Sequence, residues 1–191
     1  MCQFMQTFVL FWGPKNSVMS DHTYILILRI LHICFGIFWA GTAIFFALFL
    51  IPSIKKAGPE GMKVMQSLGK SGYALAAMIS AIITIVAGFL LIWKLSGGFQ
   101  PEWFHSWYSR VLTTGAGVAV VAFSIGFTIN RPGAARINKI GMAIAAQGGT
   151  PTPDQVAELT RLRNRIFRAT NYIAILLTIA VLGMSIFRYV G

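Results

Sequence analysis

Four stretches of this chain carry no Asp, Glu, Lys or Arg: residues 30–51, 71–93, 111–130 and 169–187, each 19 to 23 residues long. About 20 apolar residues cross the roughly 30 Å hydrocarbon core of a bilayer. A segment in lipid must satisfy its own backbone hydrogen bonds, so each stretch reads as a helix. Composition agrees, with 56% of residues hydrophobic and 11% charged, against about 25% charged in a soluble domain. That excludes a water-soluble enzyme and a disordered tail protein, and Cys2 and Cys34 alone cannot staple a disulfide scaffold. The 191 residues suffice for one domain. The expected fold is all-α, an integral membrane four-helix bundle of left-handed packing.

The placement of Lys and Arg sets the direction of the spans. The first connection holds Lys55, Lys56, Lys63 and Lys70. The third, residues 131–168, holds seven cations, among them Arg161, Arg163, Arg165 and Arg168. The second has only Lys94 and Arg110 at its edges. Connections one and three are therefore expected inside and both termini extracytoplasmic, in a bacterial cytoplasmic (inner) membrane. The net charge of +11 then reflects this bias and attraction to anionic headgroups, with no need for nucleic acid. Trp93, Trp103, Trp107 and Tyr108 cluster about the second connection, as an interfacial anchoring belt would.

Residues 1–23 read as an extension ahead of the single transmembrane domain, 24–191. Residues 1–12 are apolar but too short to span, and the first cation, Lys15, follows them, the reverse of a secretory signal. Met19-Ser20-Asp21 looks like a more natural beginning. The first 18 residues are then either a start-site extension or a segment lying on the membrane.

Within the third connection, Thr152-Pro153-Asp154-Gln155 is a helix-start signal: a capping Thr, Pro at the first helical position, and Gln three residues after the cap. No breaker follows until Gly183, so the fourth span should be one helix over 153–188, about 54 Å long. Gly148-Gly149-Thr150-Pro151 reads as a turn, and residues 136–146 as a short amphipathic helix. Arg161, Arg165 and Arg168 share a face, with Arg163 opposite. They are candidates to bind lipid phosphate or a partner's acidic surface; the alternative is a snorkelling positive-inside cluster.

Small residues at helical spacing let membrane helices approach closely. The first span offers Gly36, Ala40, Ala43 and Ala47 on one face. The second carries Gly72, Ala76, Ser80, Thr84 and Gly88 at strict i+4 spacing, which predicts a centrally packed helix. Asn171, Thr178 and Ser185 in the fourth are expected in the interior.

Candidate chemistry is sparse. All five carboxylates lie outside the charge-free stretches, against the intramembrane acid usual in proton-coupled transporters. Paired Gly/Pro helix interruptions, a transporter signature, are not evident in the sequence. His22, His32 and His105 remain, all expected on the outer side, as candidate metal ligands. His32 lies 19 residues before Ile51, about 28 Å along a helix, hence near the outer boundary. His32 and His105 could ligate one haem b only if tilt brought their levels together. Copper, with Met19, Cys34 and His22 as companions, is the other metal open to these side chains. The alternative for His32 is a hydrogen bond to a neighbouring helix.

Leu31-His32-Ile33, Gly36, Trp39-Ala40-Gly41 and Pro52 together resemble the first helix of the copper-resistance D-type superfamily of small membrane proteins. The basic third connection and Arg-rich start of the last helix are similar to four-helix members of that group. The resemblance implies copper or haem handling at the outer face, carried here by His32, Trp39 and Gly41. The sequence thus supports a membrane protein that binds copper or haem through His32. The alternative is an accessory or assembly subunit of a larger membrane complex with no cofactor of its own.

Overall fold

The computed structural model describes residues 15–189, with the side chains of residues 15–20 and 188 excepted. The apolar segment 1–12 lies outside the described residues. Every described element is a helix or a helical turn. The first span is α1 (Lys15–Phe45), a π-helical segment Phe46–Leu50 and α2 (Ile51–Ala57). Then come α3 (Pro59–Lys70), the second span α4 (Tyr73–Leu95) and a 3-10 turn, Pro101–His105. The third span is α5 (Trp107–Ile125), a π-segment Gly126–Asn130 and α6 (Arg131–Ala146). The fourth lies in α7 (Pro153–Ile186). Among the described residues, four helices are long and apolar enough to cross a membrane.

The two π-segments occupy corresponding places in the first and third spans, each ahead of a proline. Ile51 N–H donates to Phe46 O and Arg131 N–H to Gly126 O, five residues back in both cases. Pro52 and Pro132 have no N–H, and their rings crowd the carbonyl four residues earlier. The ladder absorbs this by taking in one extra residue. Paired proline-linked π-turns therefore exist that the sequence reading did not mark, although each helix runs on unbroken through them. They escape notice there because each sits at the end of its apolar stretch rather than within it. The segment 136–146 is likewise continuous with the third span instead of forming a separate helix.

The fourth helix starts where the capping signal places it. Thr152 Oγ1 accepts from Gln155 N–H, and Gln155 Oε1 accepts from Thr152 N–H at 2.9 Å. Gly148 and Gly149, at φ +94° and +86°, form the turn before it, where only glycine adopts such angles without strain.

Packing pairs α1 with α4 and α5 with α7; α1 also packs on α7, while α4 barely meets α5. The lateral order is second–first–fourth–third span. The first and fourth spans are central, and the expectation of a central second span is corrected. The core joins Trp39, Ala40 and Ala43 of α1 to Ala81 of α4, Ala119 and Ala122 of α5, and Ile173, Leu177 and Ala180 of α7. Trp39 meets Phe123 edge-on, centroids 6.5 Å apart. Gly115 is buried where α5 crosses α7: a Cβ there would lie 3.3 Å from Ala180 O.

The glycine–alanine stripe of the second span is shorter than its spacing suggests. Strict i+4 spacing advances about 400° per step, so four steps wind about 160° around the helix. Only the part from Ser80 to Gly88 faces α1: Ser80, Ala81, Thr84 and Ala87 are buried and Gly88 meets His32, whereas Ala76 is exposed. Gly72 is not in the helix. It caps α4 with φ +81° and is exposed. In the first span, Ala40 and Ala43 are buried and Gly36 lies 3.4 Å from Thr84 Cγ2, measured from the Cβ it lacks. In the fourth span Asn171, Thr178 and Ser185 are exposed, opposite to expectation. Thr178 and Ser185 donate to Ala174 O and Val181 O of their own helix, so their hydroxyls need no interior partner.

Between 11% and 28% of each span's most apolar window is buried. The rest presents Ile, Leu, Val and Phe outward, a surface suited to lipid.

Candidate functional site

The site centres on His32, half-buried on α1 against α4. Its Nδ1 lies 2.8 Å from Thr84 O. A carbonyl oxygen can only accept, so Nδ1 carries the proton and donates. In that tautomer the lone pair is on Nε2, which has no hydrogen-bond partner among the described residues. Anchoring one ring nitrogen on a backbone carbonyl is how ligating histidines are usually held, with orientation and tautomer fixed together.

Gly88 makes this geometry possible. A Cβ there would fall 2.8 Å from His32 Cε1 and 2.9 Å from Nδ1, so the imidazole lies where any larger residue would put its side chain. Glycine inside a helix costs about 1 kcal/mol relative to alanine, and here it admits the ring. Thr84 Oγ1 donates to Ser80 O at 2.7 Å, which leaves its carbonyl as the group facing the imidazole.

Depth is the main correction to the sequence reading. Thr84 lies midway along α4, eleven residues from either end of Tyr73–Leu95. His32 therefore faces the middle of the second span, not its outer edge. Counting from Ile51 misplaced it because Arg29 truncates the charge-free stretch, whereas α1 continues unbroken from Lys15. The level on α1, which begins further back at Lys15, that meets the end of α4 is marked by Asp21. Its carboxylate accepts from Lys94 Nζ at 3.0 Å, with Lys94 5.8 Å above the Tyr24 ring. His32 lies eleven residues below Asp21, about 16 Å along the helix. Arg29 is exposed, and a helical side chain leans toward the N-terminus, back toward the Asp21 level.

The other candidate ligands are not brought to His32. His22 is exposed one residue after Asp21, and His105 is exposed in the turn Pro101–His105, beyond the end of α4. Cys34 is a free, exposed thiol, and the Met19 side chain lies outside the described residues. No group of three or more His, Cys, Asp or Glu able to hold a metal exists among the described residues. Among the described residues no donor set of this kind encloses a copper ion. One anchored imidazole does fit haem iron, which needs a single proximal histidine.

At the other end of the bundle, Arg161, Arg165 and Arg168 are exposed, while Arg163 is half-buried. Arg136 Nε donates to Glu158 Oε1 at 2.8 Å, tying α6 to α7. That hydrogen bond holds the Glu158 carboxyl below the usual glutamate range, and it raises Arg136. Sequence reasoning placed Gly88 in a packing stripe without linking it to His32, and it missed the Thr84 carbonyl. A lone glycine in mid-helix was the available signal for that link.

No family model, curated protein or solved structure matches the chain.

Proposed function

We propose that this is a membrane haem-binding protein in which His32 Nε2 is the proximal ligand. The observation that supports it is a mid-span imidazole whose Nδ1–H is fixed on Thr84 O and whose Nε2 is left unpaired. An ionisable side chain that deep is expensive unless it has a role. A haem held there by His32 would supply one-electron or small-ligand chemistry. The chain's own part is to hold the ring: Thr84 sets the tautomer, Gly88 sets the plane, and the apolar spans exclude water. The positive-inside bias orients the termini outward. The resemblance to the copper-resistance D-type superfamily supports metal handling, with haem in place of copper.

The test is His32→Ala, purified in mild detergent with haem content measured beside stability. The variant should lose the Soret band yet remain a folded bundle, and free imidazole should restore the band. A purely structural histidine would destabilise the bundle on substitution and show no imidazole rescue.

The accessory-subunit reading is favoured by a different observation. Thr114, Gly117, Val121, Ser124 and Thr128 form an exposed heptad stripe on the third span, and small polar stripes of this kind pack helices. A stoichiometric partner retained through mild extraction supports that role, and a lone protein by native mass opposes it.

A further inference from the structure

The hydrogen bonding of the third span leaves one side chain unfinished, at a place independent of His32. Asn130 Oδ1 is buried and has no hydrogen-bond partner among the described residues. Its Nδ2 donates to Thr170 Oγ1 of α7 at 3.3 Å. Turning the amide over does not cure this, because Thr170 offers one hydroxyl and either orientation leaves one end of the amide unmet. A buried polar atom left unpaired costs more than ordering a water beside it. The other such atom, Trp103 Nε1, stands differently. The Phe104 and Tyr108 rings lie nearly perpendicular to the indole, centroids 5.1 and 5.9 Å away, and a π face can receive an N–H.

The local fold explains the deficit. Residues 126, 130 and 133 of the third span meet residues 173, 170 and 166 of α7 in antiparallel order. A Cβ on Gly126 would lie 3.7 Å from Ile173 Cδ1, and one on Gly133 would lie 3.0 Å from Ile166 Cδ1. The Asn130–Thr170 pair is therefore set in the seam between two apolar contacts. Gly126, one turn back on the same face, brings no side chain to it. Arg131 is turned to Phe127, its Cζ 5.2 Å from that ring. The π-turn adds a backbone acceptor: Arg131 N–H donates to Gly126 O and Pro132 has no N–H. Neither residue that would bond Phe127 O in an α or π ladder does so. Thr128 and Thr178 donate to carbonyls of their own helices at 2.7 and 2.8 Å, whereas the Thr170 hydroxyl donates to no described residue.

We propose that a water molecule is bound in this seam, donating to Asn130 Oδ1 and accepting from the Thr170 hydroxyl. Its second hydrogen is left for the carbonyl freed in the same turn, which makes three partners, the usual number for a buried water. The water thus ties the π-turn of the third span to α7. Asn130 is the last and Thr170 the second residue of their charge-free stretches, so water reaches the seam from the membrane surface. The chemistry selects water over an ion. Arg131 and Arg168, both exposed, stand one and two residues from the pair, and the nearest carboxylate on either helix, Glu158, is twelve residues before Thr170. A bound cation would have no counter-charge there, and the unpaired carbonyl oxygens repel an anion.

The test is hydroxyl-radical footprinting of the full chain in detergent by synchrotron radiolysis, read by mass spectrometry. Radicals formed from a water held inside a protein oxidise the side chains beside it, however buried. Ile173 and Leu177 of α7 are 6% and 2% exposed, and Ile173 adjoins the seam at Gly126. Ile173 should be oxidised and Leu177 should not; equal labelling of the two, or none at either, would overturn the proposal. Asn130→Leu with Thr170→Val replaces both polar partners by apolar groups of similar shape, which a fold tolerates. This pair should lose the Ile173 label with wild-type circular dichroism, and persistence of the label would overturn the proposal. Should the pair lose helicity, Thr170→Val alone should lose the label and Thr170→Ser retain it, with equal labelling in these two counting against the site. Melting in sodium or potassium chloride should match melting in choline chloride at equal ionic strength. A midpoint raised by sodium or potassium would assign the seam to a cation and overturn the proposal.

Discussion

Gly88→Ala is the sharpest perturbation of the His32 geometry. The new methyl would lie 2.8 Å from Cε1 and 2.9 Å from Nδ1 of His32, closer than carbon and nitrogen tolerate, so the ring must leave. Forcing a methyl into a packed interface costs about 1–3 kcal/mol. Losing the bond to Thr84 O adds about 0.6 kcal/mol, the mean for interhelical hydrogen bonds in membranes. Alanine returns about 1 kcal/mol of helix propensity. The net expectation is a loss of about 0.6–2.6 kcal/mol. In the His32→Ala background the obstacle is gone and only the propensity gain of about 1 kcal/mol remains, so Gly88→Ala should stabilise. Reversible unfolding of the four proteins of this cycle in mixed micelles, followed by circular dichroism, should give a coupling of roughly 1.6–3.6 kcal/mol. A Gly88→Ala effect of the same sign and size in both backgrounds would refute the packing of His32 on Gly88.

Three further perturbations address the rest of the structure. Thr152→Ala should destabilise the start of α7 by about 1 kcal/mol, with Thr152→Ser restoring most of it; full-length helicity unchanged at the first turn by NMR would oppose the capping box. Gly61→Ala places a Cβ 2.5 Å from Ile54 O and 2.8 Å from Ile54 Cα, both backbone atoms that cannot yield. It should unseat α3 from α2 and raise cysteine labelling at Met65→Cys, and unchanged labelling would count against the close turn. Glu158 has its carboxyl held low by Arg136, so the α6–α7 link is fully present above the ordinary glutamate range and is lost as pH falls through the lowered value. Carbon-13 NMR should show Glu158 titrating below a free glutamate and moving up in Arg136→Gln; one midpoint in both proteins would refute the pairing.

Much of the architecture is legible in the sequence because charge exclusion from lipid is a strong, local rule. It locates all four apolar helices, and the Thr152–Gln155 box fixes the start of α7 through contacts spanning three residues. What the sequence hides depends on rotation and depth. A strict i+4 row such as Gly72 to Gly88 drifts around the helix, so its first members leave the interface and Gly72 becomes a cap with positive φ, while Gly88 still meets α1. Asn171, Thr178 and Ser185 share a face in the sequence as surely as in the structure, but spacing does not say which face points inward. His32 is singled out by residue type, yet its depth follows from the offset between α1 and α4, which Arg29 disguises. The partner that fixes its tautomer is a backbone carbonyl of Thr84, and no side-chain pattern reveals a carbonyl.

The most direct measurement is the visible spectrum of the intact protein purified in mild detergent, recorded with its iron content and again after titration with haem. Ligation by His32 Nε2 requires a Soret band, stoichiometric haem, and the spectrum of iron with one histidine ligand. A colourless protein that gains no Soret shift on haem titration would contradict it.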